Sequence, residues 1–233
     1  MEIFVDSASI TDIKEWLEMG VVDGVTTNPT IMLNDGVYDA EARAREIAAL
    51  VNPRPVCVEV TTNDLDEMVR QARRFASLAP NVVVKIPQIT QDGIPCYGVI
   101  KKLESEGIKV NATAALSLSQ VMLAAKTGAT YVSIFAGRVA DEGGNAVEVI
   151  RNSVAWLEHW RYESKLIVGS IRSVGDVLSA AIAGAHIITI PPQFLGKMAD
   201  HKYTRETVRQ FVNDAQKALD KMEKARANND VRG

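Results

Sequence analysis

The chain has 233 residues, 47% of them hydrophobic and 24% charged, with a formal net charge of −3. That length suits one α/β barrel domain, and lysines and arginines scattered among acids argue against nucleic acid as a partner. Cys57 and Cys96 lie in or beside core patterns with no CxxC and no nearby histidine, so neither a disulfide framework nor a metal site is expected. The start "MEIFVDSASI" carries no basic-then-apolar leader, and no run of about 18 apolar residues occurs, so a soluble cytoplasmic protein with no membrane segment is expected.

In chain order, eight β-rich runs alternate with longer helical patterns: "EIFVD" (2–6), "DGVTT" (23–27), "VCVEV" (56–60), "VVVKI" (82–86), "IKVNA" (108–112), "TYVSI" (130–134), "LIVGS" (166–170) and "HIITI" (186–190). Between them lie amphipathic stretches such as "LDEMVRQARRFASL" and "VEVIRNSVAWLEHW". Repeated strand then helix, without a glycine-rich phosphate fingerprint after the first run, predicts a (β/α)8 TIM barrel rather than an open doubly wound sheet. Gly20, Gly107, Gly128 and Gly184 each close a helical pattern just before a strand, the place for a left-handed cap. The domain is read as residues 1–233. A last helix over about 204–225 has Thr204 as N-cap and an apolar face of Val208, Phe211, Val212, Ala215, Leu219 and Met222, expected to pack on the barrel or on a neighbour. The polar end "RANNDVRG" is expected to fray.

Barrel enzymes work at the C-terminal ends of their strands. Those ends carry Asp6 on the first run, Thr26, Thr27 and Asn28 at the second, Glu59 on the third, Lys85 on the fourth, Asn111 and Thr113 on the fifth, Ser133, Phe135 and Arg138 on the sixth, and Ser170 and Arg172 on the seventh. Side chains two residues apart share a strand face, so Lys85 goes with Val83, Glu59 with Cys57 and Asp6 with Phe4. Each residue has a plainer role when taken alone. Lys85 snorkels, Asp6 and Asn28 serve turns or caps, Phe135 is core, and the arginines are loop charges. Glu59 resists that treatment, because "VCVEV" is apolar on both sides and a buried carboxylate needs a partner. Taken together, a lysine near an acid, ringed by short polar groups and backed by two arginines, suits a phosphorylated carbonyl compound. An amine attacks a carbonyl only when neutral, and burial among apolar residues disfavours its charged form.

The blocks "FVDSASI", "DGVTTNPTI", "VVVKIP", "GIKVNATAALS", "GATYVSIFAGRVADEGG", "VGSIRS" and "GAHIITIP" resemble, in order and over nearly the whole chain, the small class I transaldolases and the related fructose-6-phosphate aldolases. The resemblance implies Lys85 as the Schiff-base residue, Asp6 as the acid/base group of carbon–carbon cleavage, and Glu59 with Thr113 acting through a water. It also implies Asn28, Asn111 and Ser133, with Phe135, around the dihydroxyacetone unit, and Arg138, Ser170 and Arg172 around the phosphate. It implies no cofactor, sugar phosphates as ligands, and a homo-oligomer, either a pentamer or a pentamer-based decamer. In the aldolases the positions of Glu59, Phe135 and Asn111 typically hold glutamine, tyrosine and an apolar residue, so this chain is transaldolase-like there. The loop "QITQDGIPCYGVIKKL" looks long for the group, and the Pro191, Pro192 pair has no reading from pattern alone.

Overall fold

The structure, a computed structural model, describes residues 1–230. Its elements are β1 (Glu2–Asp6), α1 (Ile10–Glu18), β2 (Gly24–Thr26), α2 (Pro29–Asn34), α3 (Ala40–Val51), β3 (Val56–Glu59), α4 (Leu65–Ala76), β4 (Val82–Pro87) and α5 (Tyr97–Ser105). They continue with β5 (Val110–Ala115), α6 (Leu118–Lys126), β6 (Tyr131–Phe135), α7 (Ala136–Asp141), α8 (Ala146–His159), β7 (Lys165–Gly169), α9 (Val174–Ile182), β8 (Ile187–Ile190), α10 (Pro192–Ala199) and α11 (Lys202–Asp230). The eight strands are parallel and close in sequential order, β1 pairing with both β2 and β8, which is the expected (β/α)8 barrel.

Local chemistry sets the helix ends. Ser9, Asn28, Asp39, Asp64, Ser117, Asn145 and Ser173 each accept, through a side-chain oxygen, the amide three residues on, satisfying a donor that the first turn leaves open. The four glycines read as caps all have positive φ. Pro192 opens α10, where a missing amide hydrogen costs nothing and a fixed φ helps, so half of the proline pair has a helix-start explanation.

The barrel interior is filled in layers. One is apolar: Phe4, Cys57, Val83, Ile167 and Ile187 pack together, with Tyr131 against them. The Phe4 and Tyr131 rings meet edge to face at 6.3 Å. Gly24 makes room for this layer, since a Cβ there would fall 2.7 Å from the Phe4 ring. Two residues further along the same six strands stand Asp6, Glu59, Lys85, Ser133, Gly169 and Thr189, all lining one cavity. The period-two parity read from the sequence thus carries directly into the site.

The chain separates into two compact units, the barrel unit Met1–Phe194 and a second from Leu195 onward. Within the second, α11 starts at Lys202 and runs to Asp230, longer than the sequence pattern marked. Thr204 lies inside its first turn instead of capping it. Val208, Phe211, Val212, Leu219 and Met222 are all exposed. The polar end, expected to fray from Arg226 onward, is instead helical to Asp230, and its remainder falls outside the described residues. Among the described residues no helix is long and apolar enough to cross a membrane.

Candidate active site

A cavity of about 390 Å³ opens at the C-terminal ends of the strands. At its floor is Lys85, only 4% exposed. Strand pairing places Glu59, Lys85 and Asn111 side by side on β3, β4 and β5. The Lys85 Nζ lies 2.9 Å from Glu59 Oε2 and donates to the Thr27 carbonyl at 2.7 Å. A buried ammonium left alone would be very costly, and this carboxylate with one carbonyl offsets that cost. The pair also has chemical meaning. The amine and the carboxylate are close enough for a proton to pass directly between them. The sequence showed the valines around Lys85; the structure adds a carboxylate at hydrogen-bond distance.

Asp6 occupies the neighbouring wall. Burial pushes its carboxyl above the ordinary carboxylate range, while the Thr26 hydroxyl and the Lys85 charge pull it back down. Thr26 Oγ1 donates to Asp6 Oδ1 at 2.6 Å. Cys57, one level below, is held as a thiol, its pKa pushed up to about 11 by burial, so it offers the site no thiolate.

On the far side, Ser133 Oγ donates to Asn111 Oδ1 at 2.7 Å. Among the described residues the buried Thr113 Oγ1 has no hydrogen-bond partner, and the buried Asn111 Nδ2 has none but the Cys57 sulfur, a weak acceptor. Such under-satisfied groups are rare and costly, and they suit a polar ligand. Asn111 faces the cavity; Thr113 is buried beside it without lining it. Asn28 also lines the cavity, yet its Oδ1 accepts from Ile31 N as the α2 cap, so its amide NH2 is the end left for a ligand. The turn or cap role read from the sequence for Asn28 is thus observed, and it leaves the side-chain amide free to face the cavity.

The opposite rim of the cavity is built from β6, α7 and β7. Phe135, Arg138 and Ser170 line the cavity. Ser170 has φ of +59°, a left-handed conformation that costs a non-glycine residue energy and is typical of functional positions. Its carbonyl accepts from Gly137 N at 3.2 Å. Gly137 permits that approach, because a Cβ there would be 2.5 Å from Ser170 O and 2.7 Å from Arg172 Nε. Arg172 does not line the cavity. Its two terminal nitrogens grip Asp141, one of them at 2.6 Å to Oδ2, which also holds the Asp141 carboxyl below its usual range. The α9 N-terminus is likewise occupied by its own groups, Ser173 accepting from Asp176 N and Asp176 accepting from Arg172 N.

Thr26, read from the sequence as a polar group at the end of the second run, and Thr189, which was not singled out there, both belong to this cavity. They are hydrogen-bonded to each other through their hydroxyls. The signal for Thr189 was present, a polar residue at the inward position of "HIITI" above Ile187. The long loop after β4 is a closed hairpin, with Ile89 bridging Pro95 and Cys96 N donating to the Gln88 carbonyl at 3.0 Å. Asn63 ties it to the β3–α4 connection by donating to Asp92 at 2.7 Å and accepting from Gln91 N.

A β/α barrel with a buried lysine contacting a carboxylate, beside a second acid and an arginine-lined rim, has the makings of a carbonyl-condensing site. The family model described as Transaldolase/Fructose-6-phosphate aldolase matches residues 3–231, and the chain belongs to that family. It is 42% identical over 214 residues to a "Probable transaldolase" of Lactiplantibacillus plantarum, covering 92% of this chain and 96% of that protein. A "Probable transaldolase" of Petrotoga mobilis is 43% identical over 220 residues, covering 94% and 97%. Among solved structures, 2,3-dimethylmalate lyase superposes with a TM-score of 0.57 at 17% identity, covering 92% of this chain and 83% of that one, a likeness of fold alone.

Proposed function

We propose that the protein is a class I transaldolase, moving a dihydroxyacetone unit from a ketose phosphate, sedoheptulose 7-phosphate or fructose 6-phosphate, to an aldose phosphate, glyceraldehyde 3-phosphate or erythrose 4-phosphate, in the pentose phosphate pathway. The observation that carries this reading is the buried Lys85 in contact with Glu59, sharing one cavity with Asp6. Glu59 takes the ammonium proton, the amine adds to the ketose carbonyl, and the carbinolamine loses water once its hydroxyl is protonated. The resulting iminium is the electron sink. Asp6 accepts the proton of the C4 hydroxyl, the C3–C4 bond breaks, its electron pair moves toward the iminium, and the aldose leaves with a new carbonyl. The acceptor aldose then reverses these steps, and hydrolysis frees Lys85. Arg138 and Ser170 suit the substrate phosphate, with charged and neutral donors at the rim.

Transfer is preferred over simple cleavage because Glu59, Asn111 and Phe135, the residues that differ in the related aldolases, all line the cavity. A coupled assay of fructose 6-phosphate consumption with and without an aldose phosphate acceptor tests this. Turnover is expected only with acceptor, and equal rates in both arms would reassign the protein to the aldolases. By the same resemblance the protein is read as a cytoplasmic homo-oligomer; light scattering checks the oligomeric state.

A further inference from the structure

The inference concerns how Asp6 is held, and it rests on the reading of Asp6 as the proton-transfer group. The Thr26 hydroxyl has one proton and donates it to Asp6 Oδ1 at 2.6 Å. It is also within hydrogen-bond distance of the Thr189 hydroxyl. Since the Thr26 proton is committed to the carboxylate, Thr189 must be the donor in the second bond. The chain of donors therefore runs Thr189 to Thr26 to Asp6, from β8 through β2 to β1. Thr26 is 3% and Thr189 5% exposed, so bulk water does not readily replace either partner.

We propose that Thr189, acting through Thr26, is a positioning residue that holds the Asp6 carboxylate in the ionised form and orientation needed to take the substrate hydroxyl proton. Thr26 occupies Oδ1, and Oδ2 is the oxygen left for that proton. When the proton has arrived on Oδ2, Oδ1 is left as the carbonyl oxygen of the acid and still accepts from Thr26, so the chain Thr189 to Thr26 to Asp6 keeps its direction. Two protonation states of Asp6 are thus served without leaving a buried hydroxyl unpaired. The charged and titratable groups facing Asp6 are Lys85 on β4, Glu59 and Cys57 on β3, and Asp35 after α2. Thr189 makes its hydroxyl hydrogen bond to Thr26 and to none of these groups among the described residues, so replacing Thr189 leaves the charges around Asp6 in place.

The test is a double-mutant cycle on Thr189→Val and Thr26→Val, read in two ways. In ligand-free protein labelled with carbon-13 at aspartate carboxyls, the Asp6 titration should move to higher pH in Thr189→Val and further in Thr26→Val. The double variant should match Thr26→Val alone. In single turnover with fructose 6-phosphate, Thr189→Val should slow cleavage about threefold to tenfold, the size of one net hydrogen bond, while borohydride-trapped adduct on Lys85 forms at an unchanged rate. Thr189→Ser, which keeps the hydroxyl, should recover most of the loss, and it serves as the folded comparison if the valine variant is unstable. Additive effects in the double variant, or slower cleavage with no movement of the Asp6 titration, would overturn the proposal. The titration arm needs no substrate. A shifted Asp6 in a protein that cleaves no sugar phosphate would uphold the threonine chain and reject the transaldolase reading instead.

Discussion

Two layers of the barrel interior lie one strand repeat apart on the same six strands, and they have opposite chemistry. The lower, Phe4, Cys57, Val83, Tyr131, Ile167 and Ile187, is packed and almost wholly apolar. The upper, Asp6, Glu59, Lys85, Ser133, Gly169 and Thr189, is polar and lines an open cavity. Because both layers use the same inward faces, their difference comes from side-chain identity alone. The lower layer supplies the dry floor against which a lysine can be buried, and the upper supplies the partners that make burial tolerable.

Breaking the upper layer should have the largest effect. Lys85→Met removes the only side chain there able to form an iminium, and turnover in the coupled assay should fall by at least about a thousandfold. Breaking the lower layer acts on folding. Phe4→Ala opens a void beneath the site and should cost about 3–5 kcal/mol in denaturant unfolding, with the folded fraction still able to bind substrate. The rim offers a more selective cut: Arg138→Ala should raise KM for phosphorylated ketoses about tenfold to a hundredfold and leave an unphosphorylated donor little changed, as measured by initial rates.

The smallest effect contrasts stability with function. Burial raises the Asp6 carboxyl in the folded state, so between its unfolded and folded titrations the native protein binds more protons than the unfolded chain. Its contribution to stability therefore declines as pH rises through that window. Asp6→Asn should remove this decline and raise Tm at neutral pH by a few degrees, visible by calorimetry, while abolishing cleavage.

Much of this contrast was legible in the sequence. The barrel followed from eight regular strand and helix repeats, and the upper layer from parity, because a lysine or glutamate inside "VVVKI" or "VCVEV" stands out. Thr189 did not stand out, since threonine is an ordinary strand former and its hydroxyl only acquires meaning when β1, β2 and β8 meet. The fate of Arg172 was equally hidden. It depends on Asp141, 31 positions away in the chain and brought alongside by the short helix α7. The final helix was found from its apolar stripe, but its start was misplaced because Thr204 resembles a cap and propensity alone does not fix where a helix begins.

The central claim is that Lys85 is the covalent centre. Borohydride reduction in the presence of fructose 6-phosphate, followed by peptide mapping, tests it most directly. The account predicts a single reduced adduct on the peptide containing Lys85, absent from Lys85→Met. No adduct, or an adduct carried on another lysine, would contradict it.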